Sequence, residues 1–534
     1  MATTRGVRES RLFSRFFGDG SLTKKASLNA AAATLDYAAH FIVVFIVTPL
    51  MVRGLGDYFY GVWQMLNRLV GYISPAGGRP TQALKWILAN QQASTDYELK
   101  RRWVGSALAI WVLFLPLLGV LGGILAWFAP FWLRTPAELF WQVRAATVLL
   151  FANLAAGDVA ELPRAVLQGE NQGYKRMGWS TVLVFVGGGL TWLALLLDLG
   201  ITGVAAAALA STLLTGLLFA LVARSYTPWF GVARPSSEVT RQFLGLSIWF
   251  VAWNLIMKLM TASDVIVLGF LNSIESVTSY TLTKYAPETV VAIVGTAVFG
   301  IIPGLGASIG SGDRQRASQV RGEIMALTWL ALAAMGSAIL LWNRPFLDLW
   351  VGADRYAGAM PGLLIVIVAC QFVLIRNDAS IIDLTLDLRR KVLLGALSVV
   401  LAIVASGVLV GYYKLGVSGL CVGIIAGRAI LSIGYPVLVG RFLGLRPISQ
   451  LKGVIRPGLV MVLLFAASLG LARLFPAAHL SGLGGWLILL VGAGVTVLVA
   501  LLVAFGLGLS GPQRRRIVRR IRAAIGTAPR KEAS

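Results

Sequence analysis

A single lysine lies near the middle of one of the most apolar stretches of the chain. Lys258 is inside Phe243–Phe270, a segment long enough to cross a hydrocarbon core of roughly 30 Å as one helix. No acidic residue lies three or four positions away from it, so the helix offers it no ion-pair partner of its own. A lysine at the centre of a spanning helix costs about 2.5–3.5 kcal/mol on insertion scales. Lys258 is therefore predicted to face a cavity or a partner, where its ammonium group could bind an anion.

Other ionisable residues in apolar stretches extend this hypothesis. Four basic residues are candidates for a central cavity, because Arg and Lys donate charge-assisted hydrogen bonds to phosphate oxygens: Lys258, Arg68, Arg376 and Lys284. Four acidic residues and one histidine are candidates for carrying a proton or sodium ion in a coupling step: Asp36, His40, Asp264, Glu288 and Asp383.

The spacing of these residues predicts which of them share a helix face. Asp36 and His40 are four residues apart, as are Lys284 and Glu288, so each pair lies on one face. The alternative interpretation of His40 is a hydrogen-bonded core histidine, and that of Lys284–Glu288 is a local ion pair that closes a bundle.

The same reasoning covers the remaining charges. Arg376 and Asp383 are seven residues apart, on one face and roughly 10 Å from each other, so they too could be an ion pair. Lys258 and Asp264 are about 240° apart around a helix and are predicted not to pair. Arg428 is interpreted as reaching toward the membrane interface.

The composition is that of a polytopic membrane protein. Of 534 residues, 57% are hydrophobic and 13% charged, and the mean hydropathy is +0.78; this excludes an ordinary soluble core. The two cysteines and two histidines predict neither a disulfide framework nor a zinc cluster. With no phosphate-binding GxxxxGK[ST] loop and no catalytic cluster, we expect no enzymatic activity, no metal and no cofactor.

Fourteen apolar spans predict an all-α fold of two six-helix bundles followed by two C-terminal helices. The predicted divisions are a basic leader at 1–27, the first bundle at 28–225, a linker at 226–242, the second bundle at 243–440, helices 13 and 14 at 451–509, and a basic tail at 510–534. The second span is interrupted by Pro75, Gly77, Gly78 and Pro80, a break tolerated where the backbone is buried or lines a wet cavity.

Most of the 47 Lys and Arg residues fall in alternate segments, including those around Lys100, Arg321 and Lys391. This asymmetry predicts that both termini are cytoplasmic. It also explains most of the net charge of +24 without nucleic acid. In the tail, Ile517, Ile521 and Ile525 recur among arginines, which is typical of an amphipathic helix at an anionic leaflet. The simpler alternative is a topology anchor.

The second half of the chain repeats the first. With an offset of 215 residues, Trp127, Pro130 and Phe131 fall on Trp342, Pro345 and Phe346, and Lys175 and Arg176 fall on Arg390 and Lys391. With one more residue, Leu199, Gly200 and Gly203 fall on Leu415, Gly416 and Gly419. Each repeat has six spans, so both enter from the same side. Parallel repeats of this kind place the substrate between two halves that rock.

Four short motifs add a family resemblance. They are GLGDYFYGVW at Gly54–Trp63, LPRAVLQG at Leu162–Gly169, LGITG at Leu199–Gly203 and PFLDLWVG at Pro345–Gly352. With the repeat and the fourteen spans, they resemble the polysaccharide flippases (Wzx type) of the multidrug/oligosaccharidyl-lipid/polysaccharide (MOP) exporter superfamily. The resemblance implies a V-shaped pair of bundles in the bacterial inner membrane, which moves undecaprenyl-pyrophosphate-linked oligosaccharide to the periplasmic leaflet. It provides no catalytic signature.

This resemblance suggests a role in exopolysaccharide or O-antigen synthesis, with membrane lipids around the protein and a polysaccharide polymerase and glycosyltransferases as possible partners. Two other functions are alternatives. An ion-coupled exporter of small amphipathic cations would be expected to line its pocket with acids. A membrane polymerase or glycosyltransferase would need a large extramembrane loop or a carboxylate cluster.

Overall fold

The described residues fold into α-helices with short 3-10 and π turns, and no strand occurs among them. The computed structural model describes residues 22–74, 94–170, 172–235, 237–299, 313–385, 388–445, 447–474 and 480–524, and isolated positions between 81 and 91 and at 305. At some of these positions, including Asp383, only the backbone is described. The break at 75–80 and residues 1–21 of the predicted basic leader at 1–27 lie outside the described residues.

The chain divides into two compact units between Leu259 and Met260, and each is described by itself. Among the described residues, the helices of the first unit are α1 (Leu22–Ile73), α2 (Tyr97–Trp132), α3 (Phe140–Ala160), α4 (Leu162–Gly169), α5 (Met177–Leu196), α6 (Gly200–Tyr226) and the start of α7 (Ser237–Leu271).

The second unit begins in the last turns of α7. Its other helices are α8 (Ile274–Phe299), α9 (Arg314–Trp350), α10 (Ala359–Thr385), α11 (Leu388–Gly407), α12 (Gly416–Leu443), α13 (Pro447–Leu474), α14 (Gly482–Val503) and the tail helix α15 (Gly511–Ala524).

The all-α membrane fold predicted from the sequence is confirmed. Among the described residues, eleven helical stretches are long and apolar enough to cross a membrane. One of them, Leu35–Ile73, contains two predicted spans, because α1 is kinked at Gly56, where φ is +75°. The charge-bearing helices α7 and α8 are 35 and 26 residues long and are not among these eleven stretches.

The internal repeat is visible in two turns of the same shape. Asp198 and Gly200, just before α6, have φ values of +52° and +57°. Lys414 and Gly416, just before α12, have φ values of +55° and +53°. Such left-handed backbone is the conformation that glycine adopts without strain. The offset of 216 residues seen in the sequence therefore corresponds to a repeated backbone turn.

Small residues bring α11 and α12 into close contact in the second unit. A Cβ on Gly427 would lie 2.4 Å from the backbone N of Ala402, and one on Gly423 would lie 2.3 Å from the backbone N of Ser406. Ser406 also donates a hydrogen bond to the carbonyl of Leu420. In a membrane, close backbone approach of this kind drives helix association. The two C-terminal helices pack on α9, where Trp342 donates to Thr496 of α14.

Two basic residues assigned to inside segments are instead buried in ion pairs. Lys100, 1% exposed, pairs with Glu170 at 2.8 Å, and Arg321 forms two hydrogen bonds with the carboxylate of Asp378, at 2.9 and 3.1 Å. α2 and α9 begin before the predicted apolar spans, so these side chains are buried within the units, and their side of the membrane stays a prediction. These cations therefore stabilise the fold.

We expect Gly427→Val to lower the free energy of unfolding by about 1–3 kcal/mol, because the added side chain overlaps the backbone of α11. The measurement is the melting temperature of the purified protein in detergent. Gly470→Val is the control, since a Cβ there meets no described atom within 4 Å. Equal melting temperatures for the two variants would contradict the close contact of α11 and α12.

Candidate functional site

A cluster of charged side chains lies inside the second unit. Asp264 comes from the end of α7, Lys284 and Glu288 from α8, and Arg428 from α12. Together with Tyr280 of α8, these residues line a cavity of about 90 Å³. The opposite wall is apolar and consists of residues from α10, including Phe372.

Asp264 is the centre of the cluster and is 7% exposed. Its Oδ1 accepts the backbone N–H of Val265 at 2.8 Å. Its Oδ2 accepts from the hydroxyl of Tyr280 at 2.7 Å and from the ammonium group of Lys284 at 2.5 Å. No contact between Asp264 and Lys284 was predicted from the sequence, whereas in the structure their ion pair joins α7 and α8.

Lys284 bridges two carboxylates in different surroundings. Its Nζ lies 2.5 Å from Oδ2 of Asp264 and 2.9 Å from Oε1 of Glu288. The side chain of Asp264 is 9% exposed and that of Glu288 is 50% exposed. The predicted Lys284–Glu288 pair is therefore present, but it is the outer half of a three-residue bridge. A movement of the ammonium group within this bridge would transfer positive charge between a buried and a solvent-accessible carboxylate.

The interpretation of Arg428 as an interface residue is wrong. Arg428 is 7% exposed, its Nη2 donates to the carbonyl of Met260 at 2.8 Å, and its guanidinium lies 5.1 Å from the ring centre of Phe372. The side chain is held inside because a carbonyl and an aromatic face replace water around it. With Asp264, Glu288 and Lys284, it gives the cluster two positive and two negative formal charges.

Arg376 lies on the same side of α8, further along the helix. Its guanidinium packs against the backbone of Gly295, where a Cβ would lie 2.6 Å from Nη1. Gly295 is seven residues, roughly 10 Å, beyond Glu288. The side chain of Asp383 lies outside the described part of the structure, so the predicted Arg376–Asp383 pair is left as a prediction.

The first unit contains a much larger cavity, of about 550 Å³. It lies among α1, α3, α4, α5 and α6. Gly187 and Gly188 of α5 allow the helices to approach, since a Cβ on either would lie 2.6 Å from a side-chain atom, of Ser211 and Val43 respectively. The cavity is thus framed by closely packed helices.

The lining of this cavity is rich in neutral hydrogen-bonding groups. Its polar side chains are His40, Thr48, Tyr60, Gln64, Asn153, Arg164, Ser180, Thr191, Ser211, Thr212 and Thr215, and Trp63 adds an indole ring. Gln64 donates to the hydroxyl of Tyr60 at 2.8 Å, and Arg164 pairs with Glu161 at 2.8 Å. Oδ1 of Asn153 is buried and accepts no hydrogen bond from the described residues. No carboxylate is among the described lining residues.

The structure places the other predicted residues of this unit as follows. His40 is exposed and lines the cavity, rather than being a core histidine, while Asp36, one turn earlier, is half-buried. Lys258 is half-buried beside α1, where a Cβ on Gly71 would lie 3.6 Å from its Nζ. Arg68, half-buried, is three residues before Gly71 and hence on the same face of α1.

Two members of the charged cluster were missed in the sequence, although signals for both exist. Tyr280, Lys284 and Glu288 recur every four residues, which places them on one helix face. Arg428 lies in an apolar span with no acid at three or four positions away, the same criterion that singled out Lys258.

Comparison with known proteins finds relatives in structure but not in sequence. No family model and no curated protein matches the chain. The lipid II flippase MurJ, in an inward closed conformation, matches with a TM-score of 0.64 at 11% identity, over 88% of this chain and 98% of that one. An inward-facing multidrug resistance MATE family transporter of the MOP superfamily matches with a TM-score of 0.62 at 14% identity, over 77% and 98%. The chain has the fold of these transporters.

This likeness concerns the arrangement of helices. An outward-facing multidrug resistance MATE family transporter also matches, with a TM-score of 0.56 at 15% identity, over 80% of this chain and 96% of that one. The neighbours are MATE transporters and a lipid II flippase, so their fold agrees with the predicted one, and the superfamily and the Wzx type are left as predictions.

Breaking the inner half of the Lys284 bridge is expected to cost more stability than breaking the outer half. Asp264→Asn leaves a buried ammonium group with a weaker acceptor, and loss of one partner of a buried pair costs about 3–5 kcal/mol. Glu288→Gln removes an exposed partner and costs below about 1 kcal/mol. Thermal unfolding of the two purified variants beside the wild type measures the difference. A larger loss for Glu288→Gln would show that the buried contact does not stabilise the unit.

Proposed function

We propose that this protein moves undecaprenyl-pyrophosphate-linked oligosaccharide units across the bacterial inner membrane, by alternating access, for surface polysaccharide synthesis. The observation that carries the proposal is the cavity of the first unit, whose described lining has amide, hydroxyl, aromatic and basic groups without a carboxylate.

The chemistry of that lining suits sugar. Carbohydrate hydroxyls both donate and accept hydrogen bonds, and so do the side chains of Ser, Thr, Asn and Gln. Asn153 has a buried acceptor without a donor among the described residues, which a sugar hydroxyl could satisfy. An aromatic face such as that of Trp63 offers apolar contact to a sugar ring. A cation placed there would lose its hydration without gaining a carboxylate partner, which is costly.

The diphosphate is assigned to basic residues of the same unit. Lys258 lies beside the stretch of α1 that carries Arg68, and two neighbouring cations favour an anion between them. We propose Lys258 and Arg68 as the primary phosphate-binding residues of this chain, with Arg376 and Lys284 of the second unit as further candidates.

Coupling is assigned to the charged cluster and to α1. Protonation of Asp264 or Glu288 would weaken one half of the Lys284 bridge and strengthen the other, so the bridge offers two charge states from which a cycle can be built. His40 and Asp36 of the first unit and Asp383 of the second are the other proposed coupling residues.

The second candidate is an ion-coupled exporter of small amphipathic molecules. The half-exposed carboxylate of Glu288 at the cavity of the second unit favours it, because a carboxylate is the group expected to bind a cation. The fold accommodates both functions, since the solved structures that match this chain include a lipid II flippase and multidrug transporters.

We also propose a cellular setting for this transport. Both termini would lie in the cytoplasm, the substrate would come from glycosyltransferases that assemble it on the carrier lipid, and a polymerase on the other side would consume it. Exopolysaccharide units, O-antigen units and a lipid-linked peptidoglycan precursor are the substrate classes that stay open.

Flipping in proteoliposomes tests the function directly. Vesicles containing a lipid-pyrophosphate oligosaccharide are scored for its accessibility in the outer leaflet, with and without a pH gradient. We expect the wild type to flip the lipid and Lys258→Ala to flip it at least roughly tenfold more slowly, because the phosphate loses a charge-assisted contact. Arg473→Ala, an exposed position on α13, is the control and should retain the wild-type rate.

The outcomes separate the two candidates. An inactive wild type that drives pH-dependent efflux of a cationic dye would reject the flippase and support the exporter. Flipping that survives in a folded Lys258→Ala variant would keep the function and remove Lys258 from the phosphate site.

An added carboxylate in the first cavity gives a second discrimination. Asn153→Asp should slow oligosaccharide flipping by about tenfold, since a buried acid repels the diphosphate and loses the amide donor. In a cation exporter the same change should preserve or raise dye efflux. Asn272→Asp, in the exposed turn between α7 and α8, is the matched control and should alter neither rate.

A further inference from the structure

A third cavity, separate from the two described above, lies at one end of the second unit. Its volume is about 560 Å³, within the roughly 300–1,000 Å³ of small-molecule sites. It is bounded by α9, α12 and α13, and the end of α14 and the first turn of α15 close it through Leu509 and Gln513. We call it the α9–α13 pocket.

The lining of the α9–α13 pocket is mostly apolar. Met325, Ala326 and Trp329 form the α9 wall, and Val437, Val454 and Pro457 contribute from α12 and α13. Its most polar lining residue, Arg321, is engaged within the protein, because three of its five N–H donors bond Asp378 and Gln450. An occupant would therefore need a hydrocarbon part.

The pocket matches one leaflet of a bilayer in depth. Along α9 it extends from Ser318 to Trp329, eleven residues or roughly 16 Å of helix, and half of a hydrocarbon core is about 15 Å. Ile433, which lines it, is 69% exposed. That exposed side chain on a spanning helix indicates a lateral opening between α12 and α13, through which a lipid chain could enter.

Positive charge is concentrated at the end of the pocket near α15. The tail helix is attached to the unit by Ile517, which is 8% exposed and packs with Ala326 and Leu330 of α9. Its first turn, fixed by hydrogen bonds from Ser510 to Gln513, leads directly to Arg514 and Arg515. The Nε of Arg514 is buried and bonds to no described residue, while Arg515 is exposed.

We propose that the α9–α13 pocket binds an anionic phospholipid of the leaflet that α15 contacts. One acyl chain lies in the pocket along α9, and the phosphate contacts Arg514 and Arg515. Basic pockets between spanning helices are typical sites for anionic head groups, and the charge complementarity at α15 favours such a lipid over a zwitterionic one. The tail helix is then one wall of a lipid site. This proposal is independent of the transported substrate.

The test compares lipid retention by the full-length protein. Wild type is incubated with phosphatidylglycerol or phosphatidylcholine of identical chains, and bound lipid is counted by native mass spectrometry. We expect the wild type to retain phosphatidylglycerol. Replacing Arg514 and Arg515 by Gln should reduce the preference for it by about fivefold for each arginine, whereas Arg473→Gln should not change it.

Two glycines allow the pocket to be filled without a clash. A Cβ on Gly453 or Gly322 meets no described atom within 4 Å, and both residues line the pocket. Gly453→Leu and Gly322→Leu should abolish retention of phosphatidylglycerol. Gly470→Leu, on the same helix as Gly453 and equally uncrowded, is the control and should retain it.

Photolabelling of the wild type keeps the test independent of the variants' folding. Phosphatidylglycerol with a photoreactive acyl chain should label peptides of α9, α12 and α13 that line the pocket. Equal retention of the two lipids, labelling confined to other helices, or undiminished retention by folded pocket-filling variants would overturn the proposal. Recovery of a polyprenyl lipid in place of phospholipid would also overturn it.

Discussion

The carboxylate of Asp264 lies inside the second unit with both oxygens hydrogen-bonded, and Tyr280 and Lys284 donate to one of them. Removing a carboxylate from water costs several kcal/mol, and the cost is offset only when its oxygens are well bonded. Here Oδ1 accepts a backbone N–H and Oδ2 accepts two side-chain donors. These bonds fix the end of α7 against α8. The same constraint applies to Lys100, which forms a buried ion pair with Glu170, and to Arg321, which forms one with Asp378. Buried charges therefore help to determine which segments contact each other.

The helices could be predicted from the sequence because span length and loop position depend on local composition. Among the described residues, eleven stretches correspond to predicted spans, and one of them covers parts of the two spans that α1 joins across the kink at Gly56. The ion pairs could be predicted only where both partners lie on one helix, as for Lys284 and Glu288. The pairing of Asp264 with Lys284, or of Arg321 with Asp378, depends on how two helices rotate against each other, which periodicity does not specify. Counting basic residues treats every Lys or Arg near a span end as solvated, so it does not predict that Arg321 and Lys100 are buried.

The two units share a backbone pattern and differ in the chemistry they enclose. The turns at Gly200 and Gly416 have the same left-handed geometry, so the repeat survives in the backbone even where side chains diverge. The first unit encloses a large cavity lined by hydroxyls and amides, and the second encloses a small one lined by ion pairs. A duplicated scaffold therefore supports two kinds of polar site, one that suits a bulky neutral group and one that suits a redistribution of charge.

That difference gives a physical reason to assign cargo and coupling to separate units. A cavity of 550 Å³ lined mainly by neutral hydrogen-bonding groups can accept many hydrogen-bonding shapes, and among its described lining residues only His40 and Arg164 are basic. A bridge in which one ammonium group contacts a buried and a half-exposed carboxylate would respond to a single proton, because protonating one acid weakens its attraction for the ammonium group and leaves that of the other acid. Lys284 is covalently attached to α8, so any preference it gains for one carboxylate acts directly on the packing of α7 against α8. In the proposed transport cycle, protonation at the cluster would thereby bias the position of α7 against α8.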